Sequence, residues 1–242
     1  MEISNKTVGQ IVREDYRAAD VFEKYGIDFC CAGKKPLEAS CTEKGVEYYE
    51  VVNALTGISD SAMPKFDYEN MSLTALTDYI ENTHHRYIEE SGPVIMKYLE
   101  KVVTVHGKHN PELAVVQHLF KESLGDLVIH MRKEELVFFP YVRKVEASHG
   151  RGAQPKDLAS FGSIQNPVAM LTNDHEVEGE RFRKISELTD QYVPPAHACN
   201  TFRVCYAKLH EFEKDLHLHI HLENNVLFPR AIQLEQKGTS NN

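Results

Sequence analysis

Two segments of the sequence share histidine, glutamate and proline at equal spacing. Glu134 follows His130 at the fourth position, and Glu223 follows His219 at the fourth position. In both segments a Phe-Pro pair comes shortly after the glutamate. Residues four apart lie on one face of a helix, and imidazole and carboxylate are both ligands of transition metals. The repeat therefore predicts two helices that present metal ligands.

A further histidine precedes each segment at a similar distance. His84 lies 46 residues before His130, and His175 lies 44 residues before His219. The chain then reads as two helical hairpins, each with one histidine on its first helix and His-x-x-x-Glu on its second. The predicted ligands are His84, His130, Glu134, His175, His219 and Glu223. His85, next to His84, is the one serious rival for the first position, and the spacing leaves this choice open.

Helical spacing also predicts that these candidates are buried. Each lies in an apolar stripe: Leu76, Ile80, His84 and Tyr87; Leu127, His130, Glu134 and Val137; Val168, Leu171, His175, Glu178, Phe182 and Ile185; Leu216, His219, Glu223 and Val226. Glu178 could orient an imidazole or be an ordinary charge at the edge of the bundle. Buried carboxylates need a partner, and six ligands are too many for one tetrahedral zinc. The set predicts two non-haem iron ions, bridged by the glutamates and by an oxide or hydroxide. Zinc, a mixed metal pair, or His–Glu hydrogen bonds without metal are the alternatives.

Helices are expected almost throughout the chain. Residues 7–60 read as several short helices, and the stretch 61–67 resembles a linker, so we predict domains at 1–62 and 63–242. Four longer helices follow, predicted at 71–104, from after Pro111 to 147, at 164–190 and at 196–236, with a polar loop at 148–163. No convincing strand pattern appears. The predicted fold is all-α, a small helical N-terminal domain followed by a four-helix bundle.

Composition narrows the classes of function. The formal net charge of −9 argues against binding nucleic acid, which needs a basic face. No apolar run is long enough for a bilayer, and the first residues lack the features of a secretory signal. The cysteines are Cys30, Cys31, Cys41, Cys199 and Cys205. An odd number without a signal sequence favours reduced thiols in the cytoplasm.

Three motifs together resemble a known family, the iron–sulfur cluster repair di-iron proteins (repair of iron centres family, ScdA/YtfE type), whose bundle is hemerythrin-like. They are Tyr25-Gly-Ile-Asp-Phe-Cys-Cys-Ala-Gly-Lys34, His130-Met-Arg-Lys-Glu-Glu-Leu-Val-Phe-Phe-Pro140 and His219-Ile-His-Leu-Glu-Asn-Asn-Val-Leu-Phe-Pro229. The resemblance covers nearly the whole chain. It implies a cytoplasmic stress-response protein that restores clusters damaged by nitric oxide or oxidants. It also implies that the four histidines are terminal ligands and that Glu134 and Glu223 are bridging ligands.

The chain departs from oxygen-carrying hemerythrins at two positions. His175 is followed at i+4 by Gly179 instead of a second histidine, and the last helix offers Glu223 instead of an aspartate. Reversible oxygen storage is therefore not the expected function. The expected partners are damaged iron–sulfur proteins as clients and nitric oxide or oxygen as small ligands, with a homodimer as a further possibility.

The cysteine pair Cys30-Cys31 is the candidate reactive group of the N-terminal domain. Adjacent cysteines in a turn could hold iron, accept a nitrosyl group or attack a disulfide, or they could be two small buried apolar residues. We predict that this domain docks on the bundle or on a client and that the pair relays iron or the nitrosyl. Nitric oxide reductase activity and an oxygen- or nitric-oxide-sensing module are the alternative functions.

Overall fold

A computed structural model describes residues 3, 5–58, 67–148 and 162–239 of the 242-residue chain. Within these ranges the protein is all-α, and it contains no β-strand, only an isolated bridge between Thr7 and Pro36. None of the helices in these ranges is long and apolar enough to cross a bilayer. Most of the predicted linker at 61–67 and most of the predicted loop at 148–163 lie outside the described residues.

Four short helices form the N-terminal domain: α1 (Val8–Glu14), α2 (Ala18–Lys24), α3 (Leu37–Lys44) and α4 (Tyr48–Ile58). The side chain of Thr7 caps α1 and Gln10 completes the capping box, which satisfies amides at the start of the helix. Gly45, with φ 65°, ends α3 in the left-handed conformation that glycine adopts without strain. The loop with the paired cysteines joins α2 to α3.

Four long rods form the bundle, and three of them contain a π-helical turn. Helix A comprises α5 (Leu73–Ile80), π1 (Glu81–His85) and α6 (Arg86–His106); helix B comprises α7 (Glu112–Lys133), π2 (Glu134–Phe138) and α8 (Phe139–Ser148). Helix C is α9 (Gln165–Leu188); helix D comprises α10 (Asn200–His221), π3 (Leu222–Leu227) and α11 (Phe228–Thr239). These bounds agree with the predicted helices to within a few residues, and the predicted fold class is confirmed.

The bundle places a polar layer between two apolar cores. Helix A packs against B and D, and helix C packs against B and D, as in an antiparallel bundle with short connections. One core joins the N-terminal domain to residues such as Phe120, Phe182 and Phe212; the other contains Phe138 and Phe228 at the opposite end. The candidate histidines and glutamates lie between these cores, which exclude water from them.

Candidate metal centre

Each π-helical turn of the bundle holds a residue that can bind metal. His85 lies in π1, Glu134 begins π2 and Glu223 lies in π3. A π-turn contains one residue more than an α-turn and occurs frequently at functional sites. Pro140 and Pro229 follow π2 and π3 at equal distances; they lack the amide donor that continues a regular helix. The repeated Phe-Pro pairs thus mark the two carboxylate-bearing turns.

Two overlapping groups of ligand atoms occupy the polar layer. The first group comprises His85, His219, Glu134 and Glu223; the second comprises His130, His175 and the same two glutamates. Within each group the ligand atoms all lie within 4.8 Å of one another. Every member is buried, with at most 3% of its surface exposed. Helices B and D therefore contribute a carboxylate to both groups, whereas helices A and C contribute one histidine each.

The two glutamates direct different oxygens at the two groups. Glu134 Oε2 lies 3.3 Å from Nε2 of His85, and its Oε1 lies 3.3 Å from Nε2 of His130. Glu223 Oε1 lies 3.3 Å from Nε2 of His219, and its Oε2 lies 3.0 Å from Nε2 of His175. Each carboxylate therefore faces one histidine of each group.

The residues fit a metal pair because their polar atoms are otherwise unsatisfied. The four carboxylate oxygens are buried and accept no hydrogen bond from the described residues, an arrangement that costs free energy unless a cation is bound. The Nε2 atoms of His130 and His175 lie 3.1 Å apart, while their Nδ1 atoms contact Asp174 and Asn224. Two imidazole nitrogens this close must share a proton or a metal ion.

The electrostatics of the layer favour a bound cation. Burial lowers the pKa of His130, but the carboxylates of Glu134 and Asp174 outweigh burial and raise the pKa to about 10. Burial raises the pKa of Glu223, but the imidazoles of His219 and His175 outweigh burial and hold it well below its usual range. The carboxylates thus stabilise positive charge on the imidazoles, and the imidazoles keep the glutamates ionised. A bound cation would take the place of the imidazole protons beside these carboxylates.

His84, predicted as the ligand from helix A, lies outside both groups, and His85 lies in the position predicted for it. The reason is π1, whose extra residue moves the inward-facing position one step along the chain. His84 is nevertheless buried, and its Nδ1 lies 3.0 Å from Asp215 Oδ1. The other five predicted residues are brought together in the polar layer.

Neighbouring side chains orient three of the clustered imidazoles through Nδ1. His85 contacts Glu135 at 2.7 Å, His130 contacts Asp174 at 3.3 Å and His175 contacts Asn224 at 2.9 Å. Such partners fix the tautomer of a metal-binding histidine. Glu135 and Asn224 were missed from the sequence, although each directly follows a glutamate of the repeat.

Glu178 could orient an imidazole or be a charge at the edge of the bundle, and in the described part of the chain it does not contact an imidazole. It accepts a hydrogen bond from Ser123 at 2.6 Å and pairs with Arg181. Burial raises the pKa of Glu178 even so. The residue therefore belongs to a local ion pair beside the polar layer.

The paired cysteines lie directly against the bundle. The Cys31 thiol donates to the backbone oxygen of His175 at 3.6 Å, and the two sulfurs are 3.9 Å apart. Asp28 Oδ1 accepts from the amides of Cys30 and Cys31 at 3.0 and 2.9 Å. Asp28, Cys30 and Cys31 form a third group that could hold a metal ion. A hydrogen bond to Cys31, burial and Asp28 together raise the pKa of Cys30 well above its usual value, which disfavours attack on a disulfide.

Glycines allow this close approach. A Cβ on Gly33 would lie 2.4 Å from Asn225 Oδ1, and a Cβ on Gly179 would lie 3.3 Å from the Cys31 sulfur. Asn225 donates to the backbone oxygen of Cys30 at 3.2 Å. Gly179, which distinguishes the chain from oxygen carriers, thus leaves room for a cysteine of the N-terminal domain.

A cavity of about 120 Å³ opens beside the second group, between helices B, C and D. It is lined by His130, His175 and His219 and, towards the surface, by Lys133 and Asp174. Lys133 and Asp174 form an ion pair at 2.9 Å. The cavity gives small molecules a place next to the clustered imidazoles.

Comparisons with known proteins agree with this geometry. Residues 77–231 match the Hemerythrin HHE cation binding domain, and residues 4–59 match ScdA_N, a domain of unknown function (DUF542). The iron-sulfur cluster repair protein ScdA of Staphylococcus haemolyticus (strain JCSC1435) is 31% identical over 227 residues, 93% of this chain and 98% of the relative. The iron-sulfur cluster repair protein YtfE of Yersinia pestis (strain Pestoides F) is 30% identical over 97% of this chain and 100% of the relative. The chain therefore belongs to the hemerythrin HHE family, in the branch with an ScdA_N domain that includes the ScdA and YtfE proteins.

Proposed function

We propose that this protein restores damaged iron–sulfur clusters in client proteins of the cytoplasm, using a carboxylate-bridged pair of iron ions. The observation that carries the proposal is that each buried glutamate directs one oxygen at a histidine of the first group and the other oxygen at a histidine of the second group. The names of the ScdA and YtfE relatives support the repair function. The proposed ligands are His85, His130, Glu134, His175, His219 and Glu223.

The protein's own residues would hold, orient and shield the iron pair. Glu135, Asp174 and Asn224 fix the ring orientation of three imidazoles, and the apolar cores on both sides keep water out. When bound, ferrous iron would supply exchangeable positions for nitric oxide and an ion that can be donated to a cluster. His and Glu ligands suit iron, although the geometry would also accept other divalent ions.

The cysteine pair supports a relay step next to the iron site. Cys31 touches the backbone of His175, and together with Cys30 and Asp28 it forms the third group of possible ligands. Binding of iron would displace the thiol proton that burial retains on Cys30. We propose that the pair passes iron or a nitrosyl group between the bundle and the client.

Replacement of both cysteines tests the relay. In the Cys30→Ser, Cys31→Ser double variant, we expect iron content to stay at the wild-type value because the histidines and glutamates are intact. We expect the repair of a nitric-oxide-damaged cluster protein to be lost. The measurements are iron per chain and recovery of the client's enzymatic activity.

Cys199→Ser is the matched control, because Cys199 is an exposed thiol at the start of α10. It should leave both iron content and repair unchanged. Repair at the full rate in the double variant would contradict the relay. Absence of iron from the wild-type protein loaded with ferrous iron would contradict the proposed function itself.

A nitric oxide reductase is the second candidate, and the cavity beside the second group favours it. The cavity has room for small molecules such as nitric oxide and borders three of the clustered imidazoles. Turnover of nitric oxide with an electron donor, in the absence of any client, would favour the reductase over the repair protein. Stable reversible oxygen binding would instead favour a sensing module.

A further inference from the structure

His84 has the surroundings of a metal ligand although it lies outside the cluster. It is 1% exposed, and its Nε2 is buried without a hydrogen-bond partner among the described residues. Its ring stacks on that of His219, with centroids 5.6 Å apart and planes 3° apart. A buried imidazole nitrogen without a partner costs free energy, so this position needs an explanation beyond packing.

Asp215 orients the His84 ring through Nδ1, as Glu135, Asp174 and Asn224 orient three of the clustered imidazoles. Its Oδ1 lies 3.0 Å from Nδ1 of His84. A carboxylate accepts hydrogen bonds and does not donate them, so Nδ1 carries the proton and Nε2 presents its lone pair. The second oxygen of Asp215, Oδ2, is also buried without a hydrogen-bond partner among the described residues. Two potential ligand atoms therefore lie next to His219 and outside the two groups.

Asp215 also connects this position to a surface groove. A groove of about 510 Å³ lies between the N-terminal domain and helix D, and Asp215 forms part of its wall. Four carboxylates and one lysine line it, together with two histidines: Asp20, Glu23, Glu211, Asp215, Lys214, His210 and His217. Lys214 pairs with Asp20 and Glu23 in this groove. Carboxylate and imidazole are both ligand types that bind iron.

We propose that His84 is a transit ligand, through which an iron ion held by His85 and His219 leaves towards the groove lined by Asp215. The proposal rests on the proposed function, because it requires an iron pair from which one ion is donated. Asp215 orients His84 and presents its free oxygen as the next ligand on the path.

The transfer is a ligand exchange with no change of oxidation state. The bond between ferrous iron and an imidazole of His85 or His219 breaks, and a bond to Nε2 of His84 forms. The released imidazole nitrogen keeps its lone pair and stays neutral, so no proton is transferred and the carboxylates retain their charges. His84 and Asp215 alone form no group of three close ligands with their neighbours, so the ion binds there briefly and moves on.

Release of iron to a chelator tests the transit role. The protein is loaded with ferrous iron without oxygen and mixed with a chromogenic ferrous chelator. We expect His84→Gln to keep the wild-type iron content and to release its first iron about tenfold more slowly, because the barrier to leaving rises when the intermediate ligand is lost. Asp215→Asn, which keeps the imidazole, should slow release by a smaller factor.

His221→Gln is the matched control. His221 is equally buried, and its Nε2 also lacks a hydrogen-bond partner in the described part of the chain, but it faces Phe29 of the N-terminal domain. It should release iron at the wild-type rate. Wild-type release from both His84→Gln and Asp215→Asn would overturn the transit role and leave the proposed function intact. Loss of one iron in His84→Gln would overturn it as well, by making His84 a resident ligand.

Discussion

Helices A and C each place one histidine in the polar layer, but only helix A contains a π-turn. In helix C the predicted stripe is correct from Leu171 through His175 to Phe182, all of which are buried. In helix A the predicted stripe is correct up to Ile80. Beyond Ile80 the buried positions move by one residue along the chain. His85 therefore enters the cluster, and Ile88 is buried instead of Tyr87. Periodicity therefore predicts inward positions only as far as the first π-turn.

Helix B shows the same displacement. Val137 was predicted on the buried stripe, yet it is 48% exposed, and Phe138 is 1% exposed in its place. The prediction for Val137 was wrong because π2 spans Glu134–Phe138. The extra residue in π1 and in π2 thus sets which side chains beyond the ligand face the core. In helix D, by contrast, Val226 is buried as predicted although it lies in π3.

The largest expected effect is on metal content, when the clustered histidine is removed from helix A, which has a π-turn, or from helix C, which has none. His85→Gln and His175→Gln should each lower the metal content from about two ions per chain to about one, because each removes one of two imidazoles from one group. Iron analysis after loading with ferrous iron measures this. His84→Gln should keep both ions, and a loss of iron in that variant but not in His85→Gln would reverse the comparison between the two helices.

The displaced register in helix B predicts a smaller effect on stability. Phe138→Ala should lower the free energy of unfolding by about 3–5 kcal/mol, because it leaves a cavity beside Phe139 and Phe228. Val137→Ala should change it by less than about 0.5 kcal/mol, as expected for an exposed side chain. Urea unfolding in excess ferrous iron compares the two. Equal losses in both variants would mean that π2 does not set the register.

The smallest effect is expected at Gly179 of helix C. Gly179→Ala should favour the helix by up to about 1 kcal/mol, while the added Cβ crowds the Cys31 sulfur. We expect the Cys31 thiol to be displaced and to react severalfold faster with iodoacetamide. Gly125→Ala is the matched control in helix B, because its Cβ would meet no atom within 4 Å. Equal reactivity of Cys31 in the two variants would show that the space at Gly179 does not determine the position of the Cys31 thiol.

Five of the clustered residues were predictable from spacing alone. The i,i+4 pairs on helices B and D place His130 with Glu134 and His219 with Glu223. Each glutamate is the first or second residue of its π-turn, so the displacement by the extra residue falls after it. His175 was predictable because helix C has no π-turn. His85, Glu135 and Asn224 were not, because an ideal helix gives each of them a direction away from the apolar stripe.

The sequence by itself determined the all-α fold, the four bundle helices and the burial of the histidines and glutamates, because a repeated apolar period must face a core. The tertiary structure alone decided that each glutamate faces two histidines from different helices, that His85 replaces His84 and that Cys31 lies against His175. These features depend on contacts between residues far apart in the chain and on the local unwinding at π-turns. Neither leaves a periodic signal in the sequence.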